Sequence, residues 1–571
     1  MGKLERVSAQ ADRYTVGIDF GTESGRALLV RVSDGAELAC AIHAYAGGVI
    51  DNALPGGGPR LPPGWALQDP EDYLETVRRT VPSVLEQSGV PPERVIGIGI
   101  DFTSSTMLPT TEDATPLCRL PEFRNETHAW PKLWKHHGAQ AQAERMTELA
   151  LSRGEEWLKD YGGKVSSEWF FSKALQILEE SPGVYRAAAR LIEAGDWLLW
   201  QLTGSERRGA SAAGYKAFRQ DGRFPDASFF AQLHPDFAGV VGEKMCTKLE
   251  PVAARAGVLG EQGASWTGLR PGTPVATANI DAHATVPATG YVEPGTLVLI
   301  MGTSTCHILL ASEKRAVEGM CGVVAGGVVP GLYGYESGQS AVGDMFAWFV
   351  DGFVPGRYSE LAREAGQELH AYLAERAASQ APGANGLLAL DWHNGNRSVL
   401  VDAELSGMLV GLTLASDAVD IYRALMEATV YGSRMIIEAY QRGGLAIDRL
   451  VVAGGLPGRN PHLVQMCADV FGREIQVIRS SQGAALGSAI CAAVAAGAYG
   501  DVATAARAMG GVEEGTYRPR SEWTAAYDEI YQDYLAMHDL LGRSARDEQA
   551  GVMKRLHQRR MHERGGRTGQ A

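Results

Sequence analysis

No stretch of this 571-residue sequence approaches the run of about 18–20 apolar residues that spans a bilayer, so a helical membrane protein is not expected. The opening residues, MGKLERVSAQADR, are charged and lack the apolar core of a secretory signal, and a cytoplasmic address is the expectation. Cysteine is sparse. The seven residues Cys40, Cys118, Cys246, Cys306, Cys321, Cys467 and Cys491 are scattered, odd in number and free of any C-x-x-C pair. That spacing argues against a disulfide scaffold or a structural zinc site and for buried or half-buried thiols. Excess positive charge is also missing: the formal net charge is -14, so the whole molecule carries no footprint for nucleic acid. The run Lys554-Arg555-Leu556-His557-Gln558-Arg559-Arg560, continuing to Arg564 and Arg567, is a local exception. With Gly565, Gly566 and Gly569 behind it, residues 546–571 read as a solvated, frayed basic tail. Finally, there is neither a G-x-x-x-x-G-K-[ST] loop nor a G-x-G-x-x-G after a strand, which excludes the two commonest nucleotide cradles.

What is present is an ordinary globular composition, 45% hydrophobic and 21% charged, in a chain too long for one core. Two segments share one pattern. Tyr14–Phe20, the turn Gly21-Thr22-Glu23-Ser24-Gly25 and Arg26–Val32 form the first; Thr296–Met301, Gly302-Thr303-Ser304-Thr305 and Cys306–Leu310 form the second. Each reads as an apolar strand, a hydroxyl-rich Gly-Thr turn and a second apolar strand, that is, a β-hairpin. They lie half a chain apart, and a duplicated architecture with one hairpin per domain is the economical explanation.

Around the first hairpin, Ser33-Asp34-Gly35 turns into a third strand over 36–45, residues 49–66 read as a loop, and a helix over 70–88 starts after Asp69-Pro70. Arg94–Asp101 is a short buried strand that ends in the polar loop 102–106, the kind of position where open α/β sheets bind ligands. Residues 130–200 have a largely helical pattern and many aromatics, mostly packing residues. A strand over 274–278 runs into Asn279-Ile280-Asp281-Ala282-His283. The second half repeats the logic with a helix over 419–442, a strand over 449–453, the Gly454-Gly455 loop, a helix through Asp469 and an Ala-rich helix after Gly487. Alternating strands and helices make this an α/β chain.

The turn Asp19–Arg26 can present backbone N–H groups and hydroxyls to an anion, and Asp19 can hold Mg²⁺, which takes one or two carboxylates plus phosphate oxygens. A structural hairpin with Asp19 capping its own turn accounts for the same residues. Taken together, however, Asp19–Arg26, Gly302–Thr305 and Val451–Gly455 followed by Asn460 resemble the two phosphate motifs and the adenosine motif of the actin, chaperone and hexokinase superfamily. Ile300–Ile308 and Gly483–Ile490 resemble signatures of its FGGY carbohydrate kinases. The stretches VIGIGIDFTSSTMLP (95–109), LWKHHGAQ (133–140), GGKVSSEWF (162–170), Gly214-Tyr215-Lys216, Asn279–His283, Met301–His307, GLYGYESGQSAVGDMFAWF (331–349) and LALDWHNGNR (388–397) resemble the L-ribulokinase branch.

The resemblance implies two duplicated ribonuclease H-like domains of the actin/hexokinase type, with mixed sheets and an ATP cleft between them. The expected divisions are 1–290, carrying the first phosphate hairpin, sugar pocket and catalytic base, and 291–545, carrying the second phosphate and adenosine motifs. The implied reaction is ATP- and Mg²⁺-dependent phosphorylation of L-ribulose at its 5-hydroxyl, giving L-ribulose 5-phosphate and ADP, in arabinose catabolism. Such a transfer needs positioning, charge neutralisation and a carboxylate to receive the hydroxyl proton. Carried over residue by residue, Asp281 is the base, and Ser104, Trp134, Lys216, Asp281 and Glu336 face the ketose. Gly21, Thr22, Ser24, Arg26, Gly302, Thr303, Ser304, Gly454, Gly455 and Asn460 face the nucleotide, and Asp19 and Asp281 the metal. His283 is assigned a structural hydrogen bond. His136-His137 invite a metal reading that is rejected, because neighbours on a helix point in different directions. The chain departs from the branch at Ser337, commonly Ala, at Gly458-Arg459 before Asn460, where the family loop varies, and at Ser104, where a smaller residue can occur, which bears on substrate preference. A kinase for D-ribulose, xylulose or glycerol is the nearer rival and a chaperone-like ATPase the remoter one; a homodimer is left open, and no nucleic-acid or membrane partner is expected.

Overall fold

The structure, a computed structural model, describes residues 12–543, 551–556 and 559–560. Strand Tyr14–Phe20 places Val16, Ile18 and Phe20 on one face, where they meet Tyr73, Val77 and Val81 of the helix Pro70–Ser88. That helix starts where Asp69 accepts a hydrogen bond from the Glu71 N–H and Pro70 supplies a preset φ. The first sheet runs 37–44, 24–31, 14–20, 95–102, 274–276, 255–258. Its first three strands are antiparallel, and 14–20, 95–102 and 274–276 are parallel.

The second sheet runs 322–325, 333–339, 305–311, 296–301, 449–453, 476–477. Its hairpin 296–311 again pairs outward antiparallel to 333–339 and inward parallel to 449–453. The two sheets are therefore one design used twice, with 322–325 added at the outer edge of the second. Leu297, Leu299 and Met301 meet the long helix Ala418–Arg442, which opens on a capping box between Asp417 and Asp420.

Between the sheets lie two helices, Asp281–Ala288 and Gly483–Ala495, packed along each other. The second covers the inner face of the first sheet, although it belongs to the other end of the chain. Here the glycines have a reason. A Cβ at Gly17 would lie 1.8 Å from the Ala485 carbonyl oxygen, one at Gly99 1.9 Å from that of Ser488, and one at Gly487 1.6 Å from that of Ala284. Leu28, Val30, Val286, Val298, Ile308, Ala489 and Ile490 form one buried cluster shared by both sheets.

Several expectations shift. The Ala-rich helix begins at Gly483, not after Gly487, because glycine here serves close helix packing and does not break the helix. Residues 130–139 are irregular, so His136 and His137 lie outside any helix; His136 instead accepts from the Ala66 N–H and pairs with Gln176. The start of the expected frayed tail is helical over 552–556, with Met553 buried and Lys554 2.6 Å from Asp402; Arg564, Arg567 and their glycines lie outside the described residues. Among the described residues no helix is long and apolar enough to cross a membrane.

Candidate active site

The carboxyl end of strand 14–20 brings Asp19 opposite Arg26 on one neighbour and opposite Asp101 on the other. The Gly21 N–H donates to the Ser24 carbonyl (3.0 Å) and closes the turn, while Arg26 reaches back to Asp19 at 3.4 Å. Thr22 is held from two sides. Its carbonyl accepts from Gln68 (2.6 Å) and its hydroxyl from the Trp134 indole N–H (3.1 Å). In the second hairpin the Gly302 N–H donates to the Ser304 carbonyl (2.8 Å), and the N–H groups of Val342 and Gly343 secure the carbonyls of Thr303 and Gly302. Gly454, at φ +92°, lies so close that a Cβ would stand 2.4 Å from the Met301 carbonyl oxygen.

These elements open on one cleft of about 670 Å³. Asp19, Gly21, Thr22, Arg26, Ser104, Trp134, Lys216, Asp281, Gly302, Thr303, Ser304, Glu336, Gly454 and Gly455 all line it. Two expected residues are not brought to its wall. Ser24 accepts a hydrogen bond from Arg26 (3.3 Å), and Asn460 is buried as the cap of helix Pro461–Phe471, accepting from the Leu463 N–H. Of the departures, Ser337 hydrogen-bonds Tyr440 in the core (2.8 Å), whereas Ser104 and Gly458-Arg459 line the cleft.

Among the lining residues Lys216 donates to Glu336 at 2.6 Å, both buried, and His283 meets the other Glu336 oxygen at 3.1 Å. Burial alone would raise the Glu336 carboxyl, but Lys216 and His283 outweigh it and hold Glu336 well below the usual carboxylate range. The same partner keeps Lys216 charged against its own burial. His283 is buried, hydrogen-bonded by Ser211 (3.3 Å) and pushed down by burial, the structural role expected of it. Asp281 opens helix 281–288 and is only part-covered on the cleft side, yet the walls shield it from bulk water. Burial, then the charge of Asp19, raises its carboxyl to about 7.

Sequence reasoning missed three residues. Asp101 is fully buried, accepts from Ser488 of helix 483–495 (2.6 Å) and is pushed well up by burial and by Asp19; one of its oxygens has no hydrogen-bond partner. Only its place at a strand end gave a signal. Arg397 and Glu168 line the cleft, 3.4 Å apart, with the guanidinium 5.4 Å from the Trp134 ring centre. They lie 229 positions apart, and nothing local in either stretch announces the pair.

The charge of Asp19 raises the cost of ionising Asp281, which a cation would relieve. Among the described residues no three His, Cys, Asp or Glu side chains are placed to cage an ion. Two carboxylates completed by phosphate oxygens and water fit Mg²⁺ and not a dedicated protein cage.

Residues 14–287 match the N-terminal domain, and residues 297–496 the C-terminal domain, of the FGGY family of carbohydrate kinases. A ribulokinase of Mycolicibacterium smegmatis is 51% identical over 535 residues, covering 94% of this chain and 95% of that one. A ribulokinase of Anoxybacillus flavithermus is 50% identical over 550 residues, covering 95% and 96%. The solved xylulose kinase of Rhodospirillum rubrum shares the fold with a TM-score of 0.74 at 24% identity, covering 94% of this chain and 100% of that one. The Plasmodium falciparum glycerol kinase with ADP does so at 0.70 and 13%, covering 92% and 98%. With paired Gly-Thr hairpins, a shared cleft and matches that span both halves, this chain belongs to the FGGY family of carbohydrate kinases, enzymes that transfer phosphate to an alcohol.

Proposed function

We propose that the enzyme transfers the γ-phosphoryl group of ATP to the 5-hydroxyl of L-ribulose, releasing ADP and L-ribulose 5-phosphate. One observation carries the reading: a carboxyl raised to about 7, Asp281, shares a single cleft with both hairpins and with the Lys216–Glu336 pair. The printed names of relatives about half identical over nearly the whole chain add ribulose to it. Lys216 donates to sugar oxygens and Glu336 accepts from sugar hydroxyls, the mixture that a polyol requires. Ser104 and Trp134 wall the ketose, and the backbone of turns 21–25 and 302–304, with Arg26, receives the phosphates. Residues Gly454 and Gly455 lie on the nucleotide side. As the sugar oxygen bonds to the γ-phosphorus, its proton passes to Asp281 and the bond to the β–γ bridging oxygen breaks, leaving ADP. Bound Mg²⁺, held through Asp19 and Asp281, would neutralise phosphate charge. The proposal divides the chain near residue 290 into two catalytic domains and carries with it the place in arabinose catabolism. Turnover of L-ribulose, D-ribulose, L-xylulose, D-xylulose and glycerol, followed by ADP release, tests it. L-ribulose should have the highest kcat/KM; a tenfold advantage for D-ribulose or glycerol would overturn the substrate.

A further inference from the structure

Behind the sugar pocket stands a buried lysine that the chemistry above does not use. Lys173, on helix Phe170–Glu180, is completely buried, and its amine donates to the Ser105 carbonyl at 2.6 Å and the Leu133 carbonyl at 2.9 Å. Those carbonyls belong to two separate segments. One follows strand 95–102 and carries Ser104; the other is the irregular stretch 130–139 and carries Trp134. Both side chains line the cleft. Ser105 sits at φ +58°, a conformation a serine rarely adopts unless surrounding contacts hold it. One turn along the helix, on the same face, Gln176 donates to the Gly138 carbonyl (3.0 Å) and bonds His136 (3.0 Å). A single helix face thus grips stretch 133–138 at both ends, and Lys173 alone extends the grip to the Ser104 loop.

We propose that Lys173 is a positioning residue for the ketose, its two hydrogen bonds fixing the separation between Ser104 and Trp134. The inference rests on the placement of the ketose between those two side chains. Burying an amine is costly, and here two of its hydrogens are spent on loop carbonyls. Loss of the donor leaves the Ser105 carbonyl without its lysine partner and the Leu133 carbonyl with the His136 N–H (3.0 Å), so the tie between the two walls is cut and they are free to drift, which weakens a sugar held by several hydroxyl contacts at once. The nucleotide side meets stretch 130–139 through the Trp134–Thr22 hydrogen bond, so it should be disturbed less than the ketose and not escape entirely.

The test is steady-state kinetics on Lys173→Met and Lys173→Gln, with thermal melts as a check on folding. Lys173→Met should raise the ketose KM about tenfold or more and the ATP KM by no more than about threefold, the worth of the one Trp134–Thr22 hydrogen bond. Lys173→Gln, whose amide still donates two hydrogens, should recover part of that loss, and it stands in if the methionine variant does not fold. In a Trp134→Leu background the effect of Lys173→Met on the ketose KM should shrink, because the wall that it places is gone. A folded Lys173 variant with a lower Tm and an unchanged ketose KM would overturn the inference, as would an undiminished effect in the Trp134→Leu background. Absence of ketose-dependent turnover in the unaltered enzyme would instead sink the reading of the cleft, and this inference with it.

Discussion

The two hairpins share a backbone and divide the chemistry. In the first, Phe20 pairs with Gly25 across the turn; in the second, Met301 pairs with Thr305, one residue tighter. One position before the turn the first pairs Asp19 with Arg26, where the second pairs Ile300 with Cys306. The first hairpin thus carries a charged pair beside its turn, while the turn of the second offers neutral hydroxyls and N–H groups. Under the proposed function both turns of the duplicated fold face phosphate, and only the first carries a charged pair beside it. A turn's backbone is retained because its hydrogen bonds are structural; its flanking side chains are free to specialise.

That contrast can be broken by substitution. Asp281→Asn should lower kcat by at least ~10²-fold with nucleotide binding nearly intact, the scale of a general base; single-turnover kinetics and ADP titration measure both. In the unaltered enzyme kcat/KM for magnesium ATP should fall about tenfold per pH unit on the acid side of a midpoint near 7, as Asp281 of the metal-free enzyme is protonated, the kcat midpoint should lie lower, and both limbs should vanish in the variant. The same carboxyl takes up a proton on folding, so the folded state loses stability as pH climbs from about 4 to about 7, and Asp281→Asn should raise Tm at neutral pH. Asp19→Asn should raise the KM for magnesium ATP about tenfold, equivalent to about 1.4 kcal/mol. Thr303→Ala, on the neutral side, should cost only about threefold in the same constant, the worth of one uncharged hydrogen bond. Cys306→Ser should stay within about twofold. Equal effects at Asp19 and Cys306 would erase the distinction between the two sides.

The hairpins were legible because alternating apolar residues and Gly-Thr turns are local signals, and both strand pairs form as read. Helix 70–88 announced itself by Asp69-Pro70 in the same way. Long-range pairing was not legible. Lys216 and Glu336 are 120 positions apart, and from spacing alone each reads as an ordinary surface or loop-capping residue. The glycines of VGID and IGIGID look like weak points in strands until helix 483–495 is laid against them, where only hydrogen fits. Asn460 sits in a nucleotide motif and caps a helix instead, because the first N–H groups of helix 461–471 need an acceptor.

The crossing of helix 483–495 onto the first sheet has a consequence for how the chain is made. A ribosome that has finished residue 290 has produced every strand of that sheet but not the element that seals its inner face. At roughly 5–20 residues per second the missing cover emerges about 10–40 s later. Throughout that interval the glycine-lined face of strands 14–20 and 95–102 stands open as a docking groove, so the first half should attract chaperones until translation is nearly complete.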